Sequence, residues 1–189
     1  MSIAVLGGSF DPPHIGHYFV IEQIREIRKN INQILLMPAY EHQWKPIQAS
    51  AEHRFNMLHY LESEKVTISD MEMQRRGGKY TIDTLLELKR LQPNDTFYFI
   101  VGSDILSEWE RWEKTEQLLS LATFLVFPRD PHRLPETIPQ GFEVVADKNL
   151  ITTNISSTII RERVKKGKSI THLVPIGVEQ YIMEHNLYR

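Results

Sequence analysis

Two histidines and a pair of glycines near the amino end are the residues whose types and spacing could do chemistry. His14 and His17 stand three residues apart, so in the first turn of a helix they share one face. They follow Gly7 and Gly8, which come directly after the short apolar run 3–6. A strand, a glycine turn and a helix N-terminus together present backbone N–H groups and partial positive charge to an anion. This arrangement indicates nucleotide chemistry at a phosphorus atom.

The residues alone leave other interpretations open. The histidine pair also fits a metal site, which would require a third ligand at suitable spacing. It equally fits two ordinary surface histidines. The remaining six histidines are scattered along the chain. The glycine turn is neither the G-x-G-x-x-G fingerprint nor a Walker A loop, and it also fits a plain tight turn. Near a phosphate an imidazole gains charge easily, because its ordinary pKa is about 6.5. Gly16 lacks a side chain where a nucleobase or ribose could pack.

The elements that must position these residues alternate between strands and helices. Apolar and β-branched runs predict strands over 3–6, 34–37, 66–69, 96–101, 123–127 and 143–145. Apolar residues at helical spacing predict helices over 14–28, 50–61, 81–91, 157–166 and 178–185. Such alternation is typical of an α/β fold, here a Rossmann-like, mostly parallel sheet with helices on both faces. Sheets of this kind bind ligands beyond the carboxyl ends of their strands.

The length of 189 residues suits one domain. We expect an α/β core over about 1–150 and a small C-terminal helical part over about 155–189. The proline-rich segment 128–139 is the predicted long loop. It could also be a linker, but too few residues follow it to form a second full domain.

Composition narrows the class of protein. The net charge is −2 and the pI is about 6.4, which favours neither a nucleic-acid nor a membrane partner. The sequence has no cysteine, which excludes disulfides, zinc–thiolate sites and a cysteine nucleophile. No apolar run is long enough to span a bilayer, and strand-like sequence begins at Ile3 without a signal-peptide pattern. We therefore expect a cytoplasmic protein.

Two sequence motifs carry a resemblance to a known family. Residues 14–17 read HIGH after GGSFDPP, and residues 155–161 read ISSTIIR. This pair is similar to the HxGH and ISSTxxR motifs of the nucleotidyltransferase superfamily. Residues 80–84 (YTIDT), and residues 102–104 (GSD) with Trp112 beyond them, resemble further motifs of the bacterial nicotinate mononucleotide adenylyltransferases. The resemblance extends over nearly the whole chain.

The resemblance implies a reaction and its reactants. The 5′-phosphate of nicotinate mononucleotide would attack the α-phosphorus of ATP and release pyrophosphate, giving nicotinate adenine dinucleotide for NAD synthesis. The attacking phosphate is already an anion near neutral pH, because its second pKa is about 6, so no general base is required. The resemblance also implies Mg²⁺ carried by the triphosphate, without a dedicated protein cage.

The resemblance also implies which residues form the site. The catalytic residues would be His14, His17 and Arg161. The ATP-binding residues would be Gly8, Ser9, Phe10, Gly102, Asp104, Ser156, Ser157 and Thr158. The acceptor-binding residues would be Lys45, Tyr80, Thr81 and Trp112. Trp112 would stack on the nicotinate ring, whereas Trp109 would serve packing. Without the resemblance, Ser156 also fits a plain helix cap.

The chain departs from the family pattern in three places. Residues 42–44 read HQW before Lys45, residues 77–79 read GGK before Tyr80, and residues 127–130 read FPRD. We assign all three to the acceptor side. The alternatives therefore keep ATP but change the acceptor, to nicotinamide mononucleotide or phosphopantetheine. A non-catalytic nucleotide-binding regulator and an RNA-binding synthetase fragment are further alternatives, the last disfavoured by the absence of a basic stripe.

Overall fold

The structure is a computed structural model that describes residues 1–41, 46–76, 80–130, 132 and 134–189. Its strands are β1 (Ser2–Gly8), β2 (Gln33–Pro38), β3 (Val66–Ile68), β4 (Thr96–Gly102), β5 (Thr123–Phe127) and β6 (Phe142–Val144). Its α-helices are α1 (Ile15–Ile27), α2 (Ala51–Leu58), α3 (Met71–Arg75), α4 (Thr81–Leu91), α5 (Ile105–Glu108), α6 (Thr115–Leu121), α7 (Ser157–Lys165) and α8 (Ile176–Glu184). The expected α/β, Rossmann-like fold is confirmed.

The strands form one sheet in the order β3-β2-β1-β4-β5-β6, and every neighbouring pair is parallel. The chain first moves outward from β1 to β3 and then returns to continue from β4 to β6. The strand order therefore reverses between β1 and β4. A crevice opens at such a reversal beyond the carboxyl ends of the strands, because successive helices cross to opposite faces there.

Alternation along the strands divides the core into two layers. In β1, Ala4 and Leu6 face the layer that holds Ile21 and Ile24 of α1. The residues between them, such as Val5, face the opposite layer with α4 and α6. Side chains of successive strand residues point to opposite faces, and the apolar runs let both faces be buried.

The C-terminal helices have an apolar cluster of their own. Ile160 of α7 packs with Val178 and Ile182 of α8, and Met57 of α2 joins them. Helix α7 begins at the cap Ser156, whose side chain accepts from the Ile159 N–H. This packing fixes α7 beside the sheet, with its N-terminus toward the first turn of α1.

Local differences from the prediction have simple causes. The sequence pattern gave no helix for α3, α5 and α6, which have only five, four and seven residues, too short to display helical periodicity. The predicted helix over 50–61 ends as an α-helix at Leu58 and continues as a short 3-10 turn. Within the described ranges, no helix is both long and apolar enough to cross a membrane.

Candidate active site

A cleft of about 630 Å³ lies where the strand order reverses. The carboxyl ends of β1 and β4 form its floor, and the first turns of α1 and α7 form one wall. Its volume is in the range of small-molecule sites. Of the residues predicted for the site, the structure brings together at this cleft Gly8, Ser9, Phe10, His14, His17, Tyr80, Thr81, Gly102, Asp104, Trp112, Ser156, Ser157, Thr158 and Arg161. Lys45 lies outside the described residues.

The two histidines lie in contact at the start of α1. Their ring centroids are 3.8 Å apart, and Nδ1 of His17 accepts a hydrogen bond from the backbone N–H of His14 at 3.1 Å. This bond assigns the His17 proton to Nε2, which makes Nε2 a donor. His14 is buried, and its Nδ1 has no hydrogen-bond partner among the described residues. The pair therefore supplies an N–H donor and an unpaired polar atom at the cleft.

Burial determines the charge state of both rings. Burial and, to a smaller extent, the charge of Arg129 lower the pKa of His17 to about 3. Burial lowers the pKa of His14 well below the ordinary value, with added effects from His17 and Arg129. In the protein alone both rings are therefore neutral near pH 7. The gain of charge near a phosphate stays a prediction, and an anion would have to reverse the shift by its own field.

The left-handed backbone after β1 lies at Phe10 and not at the two glycines. Neither Gly7 nor Gly8 has a positive φ; Phe10 adopts the left-handed region at φ 48°. Gly7 is required for space, since a Cβ there would lie 2.9 Å from the Phe99 ring. A Cβ on Gly16 would lie 2.9 Å from the His14 ring. Gly16 thus makes room for His14 itself. It also lines the cleft, and the packing of a nucleobase or ribose against it stays a prediction.

The second motif reaches the first through side-chain contacts. The Ser157 hydroxyl donates to the Pro12 carbonyl at 2.8 Å, and Nη1 of Arg161 donates to the Asp11 carbonyl at 2.7 Å. Nη2 of Arg161 donates to the Thr158 hydroxyl at 3.2 Å. Two segments that are 145 to 150 residues apart in sequence therefore meet at one edge of the cleft. Their helix N-termini concentrate partial positive charge there.

A carboxylate and a cation face each other at the end of β4. The Asp104 Oδ2 and the Arg129 Nη1 lie 4.0 Å apart. Gly102 is required beside them, because a Cβ at that position would lie 2.3 Å from Oδ1 of Asp104. Arg129 also lines the cleft and is near enough to depress the pKa of both histidines. Within the segment 127–130, Arg129 therefore lies near the histidines, while the assignment of this segment to the acceptor side stays a prediction.

Aromatic residues line the opposite end of the cleft. Trp112 borders it, and its buried Nε1 has no partner among the described residues. Trp109 instead packs against Phe124 and Phe142 with centroid distances of 4.9 and 4.8 Å, which agrees with the predicted packing role. Tyr80 is the N-cap residue of α4, so the first turn of this helix also faces the cleft.

Comparison with known proteins identifies the family. The model of the cytidylyltransferase-like family matches residues 5–163. A probable nicotinate-nucleotide adenylyltransferase of Thermus thermophilus is 38% identical over 192 residues, covering 100% of both chains. The corresponding protein of Oceanobacillus iheyensis is 37% identical over 98% of this chain and 96% of its own length. The chain belongs to the nicotinate-nucleotide adenylyltransferase family.

Solved structures place the same family on the same fold. The nicotinic acid mononucleotide adenylyltransferase of Plasmodium falciparum, complexed with NaAD, matches with a TM-score of 0.81 at 25% identity. The match covers 99% of this chain and 97% of that one. The same enzyme complexed with APC matches with a TM-score of 0.79. The strand order and the cleft described above therefore belong to the nicotinate-nucleotide adenylyltransferase architecture.

Three charged residues at or behind the cleft were not among the site residues that we predicted from the sequence. Arg129 lines the cleft, and Asp11 and Arg54 are both 1% exposed. The sequence places Asp11 directly before two prolines, which favoured a helix-start signal over a structural carboxylate. Arg54 lies on a helix, where an arginine is usually a solvated charge. Neither position carries a local pattern that could have revealed its burial.

Proposed function

We propose that the chain transfers the adenylyl group of ATP to nicotinate mononucleotide, forming nicotinate adenine dinucleotide and pyrophosphate. The observation that carries the proposal is the meeting of two helix N-termini, the histidine pair and Arg161 at one cleft. Full-length relatives named for this activity support it. A cytoplasmic setting is part of the proposal, since ATP is a cytoplasmic metabolite.

The bond changes in the proposed reaction are balanced without a protein nucleophile. An oxygen of the acceptor 5′-phosphate forms a bond to the α-phosphorus of ATP, and the bond from that phosphorus to the bridging oxygen breaks. Pyrophosphate takes the electron pair. The enzyme must align the two phosphates and stabilise charge on the leaving group. Fixed donors do this without reorganising during the reaction.

At the ATP end, we assign the donors to the phosphates. The Nε2–H of His17 is aimed by the bond that its Nδ1 accepts, and this neutral donor would contact the α- or β-phosphate. Arg161, with the N-terminus of α7, would contact the β- and γ-phosphates. Arg129 would add a second guanidinium, beside the neutral histidines. Asp104 would accept from a ribose hydroxyl.

The remaining residues assigned to the ATP site would bind phosphate through their backbone N–H groups. Ser156 caps α7 through its hydroxyl, and the Ser157 hydroxyl is engaged with Pro12. We therefore assign phosphate contact at these positions to backbone N–H groups of the α7 N-terminus, as at other helix-based anion sites. Gly8, Ser9 and Phe10 would supply backbone N–H groups in the same way.

At the acceptor end, we assign the pyridine ring to the aromatic wall. Trp112 would stack on the ring, and backbone groups of Tyr80 and Thr81 would bind its carboxylate. Lys45 remains a proposed contact of the acceptor phosphate. A nicotinamide ring lacks the negative charge that the N-terminus of α4 would favour, so we expect the acid to be preferred over the amide.

Magnesium fits the proposal as a companion of the triphosphate. The buried Asp11 carboxylate already accepts three hydrogen bonds. Asp104 and four glutamates also line the cleft, but among the described residues no group of three or more His, Asp or Glu side chains could hold a metal ion. Bound Mg²⁺ would neutralise phosphate charge while keeping mostly water and phosphate oxygens as ligands.

An acceptor panel tests the proposed function. Purified protein with ATP and Mg²⁺ is given nicotinate mononucleotide, nicotinamide mononucleotide or phosphopantetheine, and pyrophosphate release is measured with identification of the dinucleotide by chromatography. We expect the highest kcat/KM with nicotinate mononucleotide. If turnover is faster with another of these compounds, that compound replaces nicotinate mononucleotide as the proposed acceptor. If the protein binds ATP but turns over none of the three compounds, a non-catalytic regulator is favoured.

A further inference from the structure

Asp11 is a buried carboxylate that three donors hold between the two phosphate motifs. The backbone N–H groups of Gln48 and Ala49 donate to Oδ2 and Oδ1 at 2.8 and 3.0 Å. The hydroxyl of Tyr188 donates to Oδ1 at 2.8 Å. A buried carboxylate requires such donors, because removing its charge from water is costly unless the charge is hydrogen-bonded.

Tyr188 is itself buried among the C-terminal helices. It is 9% exposed and packs in the apolar cluster of these helices. Its φ of 63° lies in the left-handed region, which aromatic residues rarely adopt. Burial and the nearby Asp11 raise the pKa of its hydroxyl, so the hydroxyl remains a donor.

The same carboxylate lies close to Arg161 without forming a hydrogen bond to it. Nη1 of Arg161 is 3.8 Å from Oδ2 of Asp11, while it donates to the backbone carbonyl of Asp11 at 2.7 Å. Without the Tyr188 hydroxyl, Oδ1 would lose a donor. The carboxylate would then close on the neighbouring guanidinium, since a charge-assisted bond is the stronger replacement.

We propose that Tyr188 is a positioning residue that keeps Arg161 available to the triphosphate by occupying the Asp11 carboxylate. The inference rests on the proposed function, in which Arg161 contacts the phosphates of ATP. The C-terminus thereby becomes part of the layer that supports the active site. A closed Asp11–Arg161 pair would hold the guanidinium against the protein and weaken its contact with ATP.

The competing explanation is that Tyr188 only fastens the C-terminus to the fold. The two explanations differ in what happens when Arg161 is removed. A positioning role requires Arg161, so its loss should cancel the effect of Tyr188. A purely structural role acts independently of Arg161, so the two effects should add.

A double-mutant cycle tests the proposal. Tyr188→Phe keeps the ring and removes the hydroxyl; it is made alone and together with Arg161→Ala. The matched control is Tyr181→Phe on the same helical part, whose hydroxyl lies 3.0 Å from His53 Nδ1 and from Asn56 Nδ2. For each variant, kcat/KM for ATP, KM for nicotinate mononucleotide and calorimetric affinity for ATP alone are measured.

We expect Tyr188→Phe to lower kcat/KM for ATP and the affinity for ATP about tenfold, with KM for nicotinate mononucleotide unchanged within about twofold. In the Arg161→Ala background the same change should cost less than about twofold. Tyr181→Phe should leave these values near those of the parent. Equal losses in both backgrounds, or no loss in either, overturn the proposal.

Two further outcomes are distinguishable. The thermal shift that ATP produces is read from each variant's own melting temperature, so a destabilised variant still reports its ATP affinity. If Tyr188→Phe has no folded state even with ATP, Tyr188 serves stability and the proposal is overturned. If the wild-type protein forms no product, the proposed function fails, while the ATP-binding cycle still tests the role of Tyr188.

Discussion

At the scale of residues, His17 combines a structural hydrogen bond with an N–H donor at the cleft. Its Nδ1 accepts from the His14 backbone, which leaves Nε2–H for a ligand. The ring is neutral in the protein alone, because burial and Arg129 lower its pKa to about 3. A neutral donor is compatible with charge stabilisation in the transition state, since its dipole is already oriented.

Replacing His17 should reduce catalysis far more than stability. We expect His17→Ala to lower kcat at least about tenfold, which corresponds to the loss of one transition-state donor. The lost helix-cap acceptor costs about 1 kcal/mol, so the melting temperature should fall by no more than about 4 °C. Steady-state kinetics and thermal melting check this, with the exposed His172→Ala as control. A large fall in melting temperature with kcat retained would contradict the assignment.

The depressed histidine pKa predicts a specific acid sensitivity. Between pH 6.5 and about 3 the unfolded chain binds a proton at His17 that the folded protein does not, so the free energy of unfolding falls as pH falls. The contribution of one histidine is about 1.4 kcal/mol per pH unit. Urea unfolding from pH 7 to pH 4 should show a shallower decline for His17→Gln than for the wild type. Parallel declines would refute it.

At the scale of elements, the ends of strands and helices create the site. β4 ends at Gly102, where the absence of a Cβ lets the Asp104 carboxylate fold back within 2.3 Å of the position that a Cβ would occupy. α7 ends before Gly167, whose φ of 63° reverses the chain and whose Cβ position is open. Gly102 therefore makes room for a side chain at the cleft, whereas Gly167 allows the chain to turn at the end of a helix.

These two glycines give a matched pair of substitutions. Gly102→Ala should displace Asp104 and raise KM for ATP about tenfold, because the new Cβ and the carboxylate cannot both fit. Gly167→Ala should leave KM unchanged while costing about 1 kcal/mol, because alanine is strained at positive φ. Kinetics and urea unfolding on both variants check this. A similar KM for Gly102→Ala and the wild type would remove Asp104 from the ATP site.

At the scale of the whole molecule, a buried cation connects segments that are far apart in sequence. The guanidinium of Arg54 donates to the carbonyls of Ser9, Ala39, Tyr40 and Ala49 at 2.6 to 3.3 Å. It thus joins the glycine turn after β1 to the chain that follows β2. Backbone carbonyls without a partner would be costly at this depth.

Removing this connection should destabilise the whole fold. Arg54→Met keeps most of the side-chain volume but leaves four carbonyls without their donor, and we expect a loss of about 3 kcal/mol in the free energy of unfolding. Arg25→Met, which removes a surface pair with Glu22 at 2.7 Å, should cost about 0.5 kcal/mol. Urea titration of both variants checks the difference. Equal costs would show that Arg54 is dispensable.

The sequence by itself determined the long elements and both motifs. β1, α4 and β5 follow from runs and periods that each segment carries locally, so their bounds were predictable to within two residues. HIGH and ISSTIIR identified the family and the residues that we propose to bind the ATP phosphates, because these motifs are contiguous strings of residues. The capping role of Ser156 was likewise readable, as a serine directly before a helical pattern.

Only the tertiary structure decided which distant groups meet and in what state. The neutrality of His14 and His17 arises from burial and from Arg129. One of the three hydrogen bonds to the Asp11 carboxylate comes from Tyr188, and neither Arg129 nor Tyr188 is near its partner in sequence. Desolvation and hydrogen bonding depend on the surroundings of a folded atom, and a linear pattern does not contain those surroundings. Local preferences therefore specified the helices and strands, whereas packing determined the charge and hydrogen-bonding state of the site residues.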